Sequence, residues 1–206
     1  MKSADHSIGM KLAVEEDDVE VLRGLLHEYL SVQKVDPAEL WTARTNIFKY
    51  ADYPVVHYAC LLDDRGAHLR VLLEAGGPAD AESDSGVKPL HVAAQENSVD
   101  ALRVLLEAGV DPRPPATERV VRNNDARQVG YDGMTAATMA AKAGHVNVLR
   151  AMRDFGGHAA ASLQERDSNP DKDEGGWAPI QYAAHKGHHS VVDFLTFEVG
   201  WGSLRT

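Results

Sequence analysis

Cys60 is the single cysteine in a chain of 206 residues, so no internal disulfide can form. Long apolar runs are absent as well. Nowhere do about 18 apolar residues follow one another, as a membrane span requires. The start of the sequence, Met1-Lys2-Ser3-Ala4-Asp5-His6, lacks the apolar core of a signal peptide. A soluble, intracellular protein of the cytoplasm is the expectation, without membrane insertion. Positive charge is scarce: 21 Lys and Arg face 31 Asp and Glu, giving a net charge of −10 with no basic stripe. Nucleic acid and anionic lipid, which need clustered cations, are therefore not expected partners. Catalytic signatures are missing too: no Gly-x-Ser-x-Gly elbow, phosphate-binding glycine loop or His-Glu-x-x-His helix occurs. A non-enzyme without cofactor or metal is expected.

What is present is a hydrophobic share of 44%, enough to bury a core, with only 6% aromatic residues. That balance, rich in alanine and leucine, suits stacked helices in one domain. The clearest stretch is Gly86-Val87-Lys88-Pro89-Leu90-His91-Val92-Ala93-Ala94, followed by Val99 to Gly109. Pro89 starts a helix at little cost, because the amide hydrogen it lacks would have no partner in the first turn. Leu90, Ala93 and Ala94 then share one helix face at i, i+3, i+4 spacing. A second helix is predicted from Val99 to Ala108, with Ala101, Leu102, Leu105 and Leu106 inward and Gly109 as a left-handed cap. Alone, two such helices would leave an apolar face in water, so they need similar units stacked on them.

Pro89-Leu90-His91-x-Ala93-Ala94 and the helix after it resemble the ankyrin repeat, whose period is about 33 residues. His57 and His91 lie 34 positions apart, close to that period. The resemblance implies an all-α ankyrin-repeat solenoid of about five repeats, at 8–29, 53–80, 84–113, 130–159 and 174–201. The others are carried by Ala13-Val14 with Val21, Leu22, Leu25 and Leu26; by Val55 to Cys60; by Met134 to Ala141; and by Trp177 to Ala184. Cys60 takes the place of the second alanine and is read as an inert core thiol. The steps from Ala13 to Ala59 and from Ala94 to Ala141 are 46 and 47 residues, too long for one period. Three insertions are expected, at 31–50, 114–128 and 160–173, each where the fold places its hairpin loops. Asp36 followed by Pro37 marks an extra short helix in the first.

Three clusters invite sharper readings. Glu15 to Asp18 stands at an inter-helix turn, where negative charge favours the start of the second helix. Asp167-x-Asn169-x-Asp171-x-Asp173 resembles the start of a calcium loop, but Lys172 and Ala178 stand where that loop needs glycine and glutamate. His185, His188 and His189 share helical spacing without a fourth ligand to complete a zinc site. His57 and His91 are expected to bridge neighbouring repeats by hydrogen bonds. The family's asparagine hydroxylation position is held by Asp80 and Arg113, so that modification is not expected in those repeats.

The resemblance implies a protein-binding module, and the positions that vary among such repeats define its surface. On the first helices and hairpin tips they are Tyr53, Tyr58, Val87, Val92, Gln95, Glu96, Tyr131, Met134, Met139, Lys142, Trp177, Tyr182 and His185. Aromatic residues and methionine are enriched in interface cores, which favours partner binding there. Phe197 and Trp201 near the C-terminus form a second candidate surface. The expected function is a non-catalytic adaptor or scaffold that binds a protein through its concave face and loops. The alternative is a subunit held permanently in a larger, for instance cytoskeletal, assembly.

Overall fold

The computed structural model describes residues 13, 18–42, 53–62, 66–83, 86–116, 133–168 and 176–200. The described residues form helices and turns, with no β-strand among them. In chain order the helices are α1 (Val19–His27), α2 (Pro37–Thr42), α3 (Val55–Ala59), α4 (Ala67–Glu74), α5 (Pro89–Gln95) and α6 (Val99–Glu107). After them come α7 (Ala136–Ala143), α8 (Val146–Phe155), α9 (Gly157–Ser162), α10 (Pro179–Lys186) and α11 (His189–Asp193). Two of these run on as a π-helical turn, α1 through Glu28–Val32 and α11 through Phe194–Glu198.

Packing arranges the helices in two rows. Within a unit the first helix lies on the second: α3 on α4, α5 on α6, α7 on α8 and α10 on α11. Between units, first helices stack on first helices in the order α3, α5, α7, α10, and second helices in the order α1, α4, α6, α8. The result is an all-α solenoid. Of the unit expected at 8–29, α1 and the buried Ala13 are described, and residues 8–12 and 14–17 lie outside the described residues. The short helix expected after Asp36 is α2, whose Leu40 and Trp41 are buried.

Side-chain size explains how the rows approach. Ala59, Ala93, Ala94, Ala140, Ala141 and Ala183 are all fully buried, and a single methyl group at each leaves room for the neighbouring helix. The second helices supply bulk instead, through Leu69 and Leu72, Leu102 and Leu105, and Leu149 and Met152, all without exposure. Each such side chain stabilises the fold by roughly 1.5–3 kcal/mol relative to an exposed one. Cys60 is equally buried, and its Sγ contacts the Val56 carbonyl oxygen at 3.4 Å.

The loops are pinned at their bases. The Ala116 N–H donates to the Met134 carbonyl at 2.8 Å and the Gly133 N–H to the Ala116 carbonyl at 3.0 Å, so the chain between them leaves and re-enters at one point. The segment expected as a loop from 160 begins as helix, because α9 runs to Ser162 with Ala159 and Leu163 buried. Beyond it the Ser168 N–H donates to the Gly133 carbonyl at 2.9 Å, which ties the base of this loop to that of the preceding one.

Candidate functional site

Backbone carbonyls at the ends of the first helices are held by the unit that follows. His145 Nε2 lies 2.8 Å from the Gln95 carbonyl, and His188 Nε2 lies 2.9 Å from the Lys142 carbonyl. A second set of imidazoles reaches the next hairpin, as expected: His57 Nε2 is 2.8 Å from the Val87 carbonyl and His91 Nε2 is 3.1 Å from the Pro114 carbonyl. His91 also accepts the Lys88 N–H at Nδ1, 3.1 Å away, so its proton sits on Nε2. Burial, helped by the nearby Lys88 charge, pushes its pKa down to about 4, and the Pro114 bond opposes that shift. In the later units Thr138 Oγ1 and Gln181 Oε1 take the same role, accepting the N–H of Thr135 and of Ala178 at 2.9 Å.

Burial divides the expected binding residues. Val92, Met139 and Tyr182 stand at one repeat position and are buried, whereas Tyr58 at that position is half-buried. Val87 and Met134 are likewise buried, and Tyr53 and Trp177 at the same position are half-buried. Val87, Val92, Met134, Met139 and Tyr182 thus belong to the packing beneath the surface and do not form it. The correction has a physical cause. Helices inside the row are covered from both sides by other first helices, whereas Tyr53 and Tyr58 at one end of the row and Trp177 at the other are half-buried.

One turn further along the first helices the side chains are accessible. Gln95, Lys142 and His185 form one line, half-buried to exposed, and Glu96 lies beside it. Leu61, Leu62, Ala143 and Lys186 occupy the matching positions and are also accessible, which the sequence reading passed over. Their register relative to Gln95 and Glu96 was the signal that could have found them. Tyr131 and Trp201 lie outside the described residues.

An aromatic cluster closes this line at the C-terminal end. The Trp177 ring lies 5.2 Å from the Tyr182 ring and 5.3 Å from His185, edge-on to the latter. Its backbone is clamped by the buried Asp167: Oδ1 accepts the Trp177 N–H at 2.8 Å, and the Asp167 N–H donates to the Trp177 carbonyl at 3.0 Å. Arg166 adds a bond from Nη1 to the Gly176 carbonyl at 3.1 Å. Asp167 therefore positions a ring in this fold, while Asn169, Asp171 and Asp173 lie outside the described residues. His185 faces Trp177 and His188 faces Lys142, so the histidine triplet does not converge. Among the described residues no group of three or more His, Cys, Asp or Glu side chains could hold a metal ion.

The C-terminal turn presents a different surface. Phe194 is buried beneath the Arg150 and Arg153 guanidiniums, 5.5 and 5.3 Å from its ring centre, whereas Phe197 is 80% exposed. Glu198 pairs with Arg153 and, at 3.3 Å, with Arg150, and these charges hold its carboxyl below the usual carboxylate range. No described helix is long and apolar enough to cross a membrane.

Gly144 tests how much the histidine bridges depend on the turns. It ends α7 at φ +85°, and a Cβ there would lie 2.8 Å from His188 Nδ1. Gly144→Ala is therefore expected to cost about 1–2 kcal/mol from the backbone alone and to push His188 off the Lys142 carbonyl. Urea denaturation measures the loss, and equal stability of the two proteins would refute it.

Comparison with known proteins points to repeats of this kind. A family model described as ankyrin repeats (3 copies) matches residues 10–116 and again 114–200. The human ankyrin repeat domain-containing protein 63 is 26% identical over a segment that covers 59% of this chain and 38% of that protein. The chain thus spans well under half the length of this relative.

Proposed function

This chain belongs to the ankyrin-repeat family, whose stacks are in general protein–protein interaction modules without catalytic activity, and from that premise we propose that it is a non-catalytic adaptor or scaffold of the cytoplasm. Its partner is a protein, gripped by the line of Gln95, Lys142 and His185 with Trp177 at its end and with the hairpin loops alongside. The observation that carries this reading is the anchoring of that line. The carbonyls of Gln95 and Lys142 are each held by a histidine of the next unit, so the side chains are presented from a rigid edge. Little conformational entropy is then lost on binding, which leaves more of the contact energy as affinity. Trp177 supplies a large ring with few rotatable bonds, a common anchor in such interfaces.

The test replaces side chains whose loss leaves those carbonyl bonds intact. Gln95→Lys, Lys142→Glu and His185→Asp, combined in one protein, are expected to weaken capture of the bound partner at least about tenfold. The melting temperature should stay within a few degrees of the wild type. Undiminished capture by this variant would refute the concave-face reading. A second reading, a subunit held permanently in a larger and for instance cytoskeletal assembly, is favoured by the 80% exposure of Phe197. Under it, Phe197→Ser would abolish incorporation while the triple variant would not.

A further inference from the structure

Positions fully buried in the earlier units lose their cover in the last. Leu22, Leu69, Leu102 and Leu149 have no exposure, whereas Val192 at the same repeat position is half-buried. Cys60, Ala94 and Ala141 are buried, whereas Ala184 is exposed. Leu90 and Ala137 are buried, and Ile180 is only half-buried. Side chains at these positions are therefore covered by the unit that follows. Ile180, Ala184 and Val192 make an open end face with the same small apolar chemistry.

The opposite end shows the complementary pattern. His68, Ala101, Val148 and Val191 are buried, but Val21 at that position is 41% exposed. Val71, Val104 and Ala151 are buried, and at their position α1 carries the exposed Gly24. These positions face the unit before, since a Cβ on Gly66 would lie 2.9 Å from Val104 Cγ2. In the row of second helices, the open faces of α11 and α1 are thus the same two faces that meet at each step inside the stack.

Charge on the outer row points to the occupant. Arginine of one unit pairs with glutamate of the next at three steps: Arg23 with Glu74 at 3.3 Å, Arg70 with Glu107 at 3.7 Å and Arg150 with Glu198 at 3.3 Å. In the last unit the arginine position is held by Asp193, and in the first the glutamate position is held by His27, both exposed. A copy stacked on the end would set His27 beside Asp193, a rung where an imidazole N–H can donate to the carboxylate as the arginines do at the inner steps. We propose that the chain associates head to tail with a second copy of itself, the open face of α11 receiving the open face of α1 as second helices meet inside the stack. Such a contact is heterologous, so it leaves one free face of each kind and can extend.

Sedimentation velocity tests this without any other partner. Wild-type protein is expected to gain mass between about 2 μM and about 200 μM, as a contact of one inter-repeat step would give. Val192→Glu blocks one face and Val21→Glu the other, so each variant alone should stay monomeric. Mixed, the two should form a one-to-one dimer and nothing larger, because each supplies the face the other has lost. If Val21→Glu fails to fold, His27→Asp replaces it, placing like charges at the rung. A wild type that stays monomeric at the higher concentration, or a mixture that stays monomeric, overturns the proposal. So does pairing of Val21→Glu with itself, which would mean that two C-terminal faces meet. Mass gained only when another protein is added would give the end face to a foreign helix pair, and would overturn it too.

Discussion

Replacing Leu102 with alanine is expected to remove about 3–5 kcal/mol of stability and to divide the urea transition into two. Leu102 has no exposure and sits on α6, which packs on α5 within its unit and on α4 and α8 across two boundaries. The substitution takes away the transfer energy of the side chain and leaves a cavity that these helices cannot close without moving. A stack in which each unit touches only its neighbours passes cooperativity through every boundary, so weakening the middle uncouples the two ends. Val192→Ala provides the comparison. It changes the same repeat position at the half-covered end, and about 1 kcal/mol or less should be lost with one transition retained. Circular dichroism and tryptophan fluorescence followed in parallel would show the division, since Trp41 and Trp177 lie on opposite sides of α6. A single transition with a loss near that of Val192→Ala would show that Leu102 is not at a weight-carrying boundary.

What could be read from the sequence was whatever depends on local pattern or on the repeat. The spacing of Leu90, Ala93 and Ala94, the proline before them and the glycine after Ala108 predicted α5 and α6 to within a residue or so at each end. The bridging by His57 and His91 was legible from the repeat and not from the local pattern, since their carbonyl partners lie 30 and 23 residues further along the chain. Depth was not legible. Val92, Met139 and Tyr182 look like surface positions in a single repeat, and only the neighbouring first helix, pressed close by the buried alanines, covers them. Asp167 shows the other limit. Alternating carboxylates in a polar loop read alike whether they wait for a cation or clamp a backbone, and the distinction lay in Trp177, ten residues on. The π turn after Asp193 was equally hidden, although it decides which residue meets Arg150: the extra residue brings Glu198 into the rung and turns Phe197 out to solvent.

Acid should weaken the stack through His91 by an amount large enough to measure in one protein against its own variant. In the unfolded chain this imidazole titrates near 6.5, and in the folded one burial lowers it to about 4. Between those values the unfolded chain takes up a proton that the folded chain refuses. Stability contributed by His91 is therefore intact above the unfolded value and is lost as pH falls towards the folded one. By pH 4.5 the loss amounts to roughly 2.5 kcal/mol. The chemistry at Nδ1 says why the proton is refused: that atom accepts the Lys88 N–H, and a proton there would set donor against donor. Gln181 supplies the control from within the same chain, since its Oε1 accepts the Ala178 N–H at the corresponding place. His91→Gln should consequently fold at pH 7 with little penalty, its carbonyl taking the Lys88 N–H and its amide donating to Pro114. The variant lacks the titrating group, so its stability should fall less than that of the wild type between pH 7 and 4.5, by that same margin of roughly 2.5 kcal/mol. Urea denaturation of both proteins at the two pH values measures the difference, and parallel losses would mean that His91 is not the group whose protonation opens the stack.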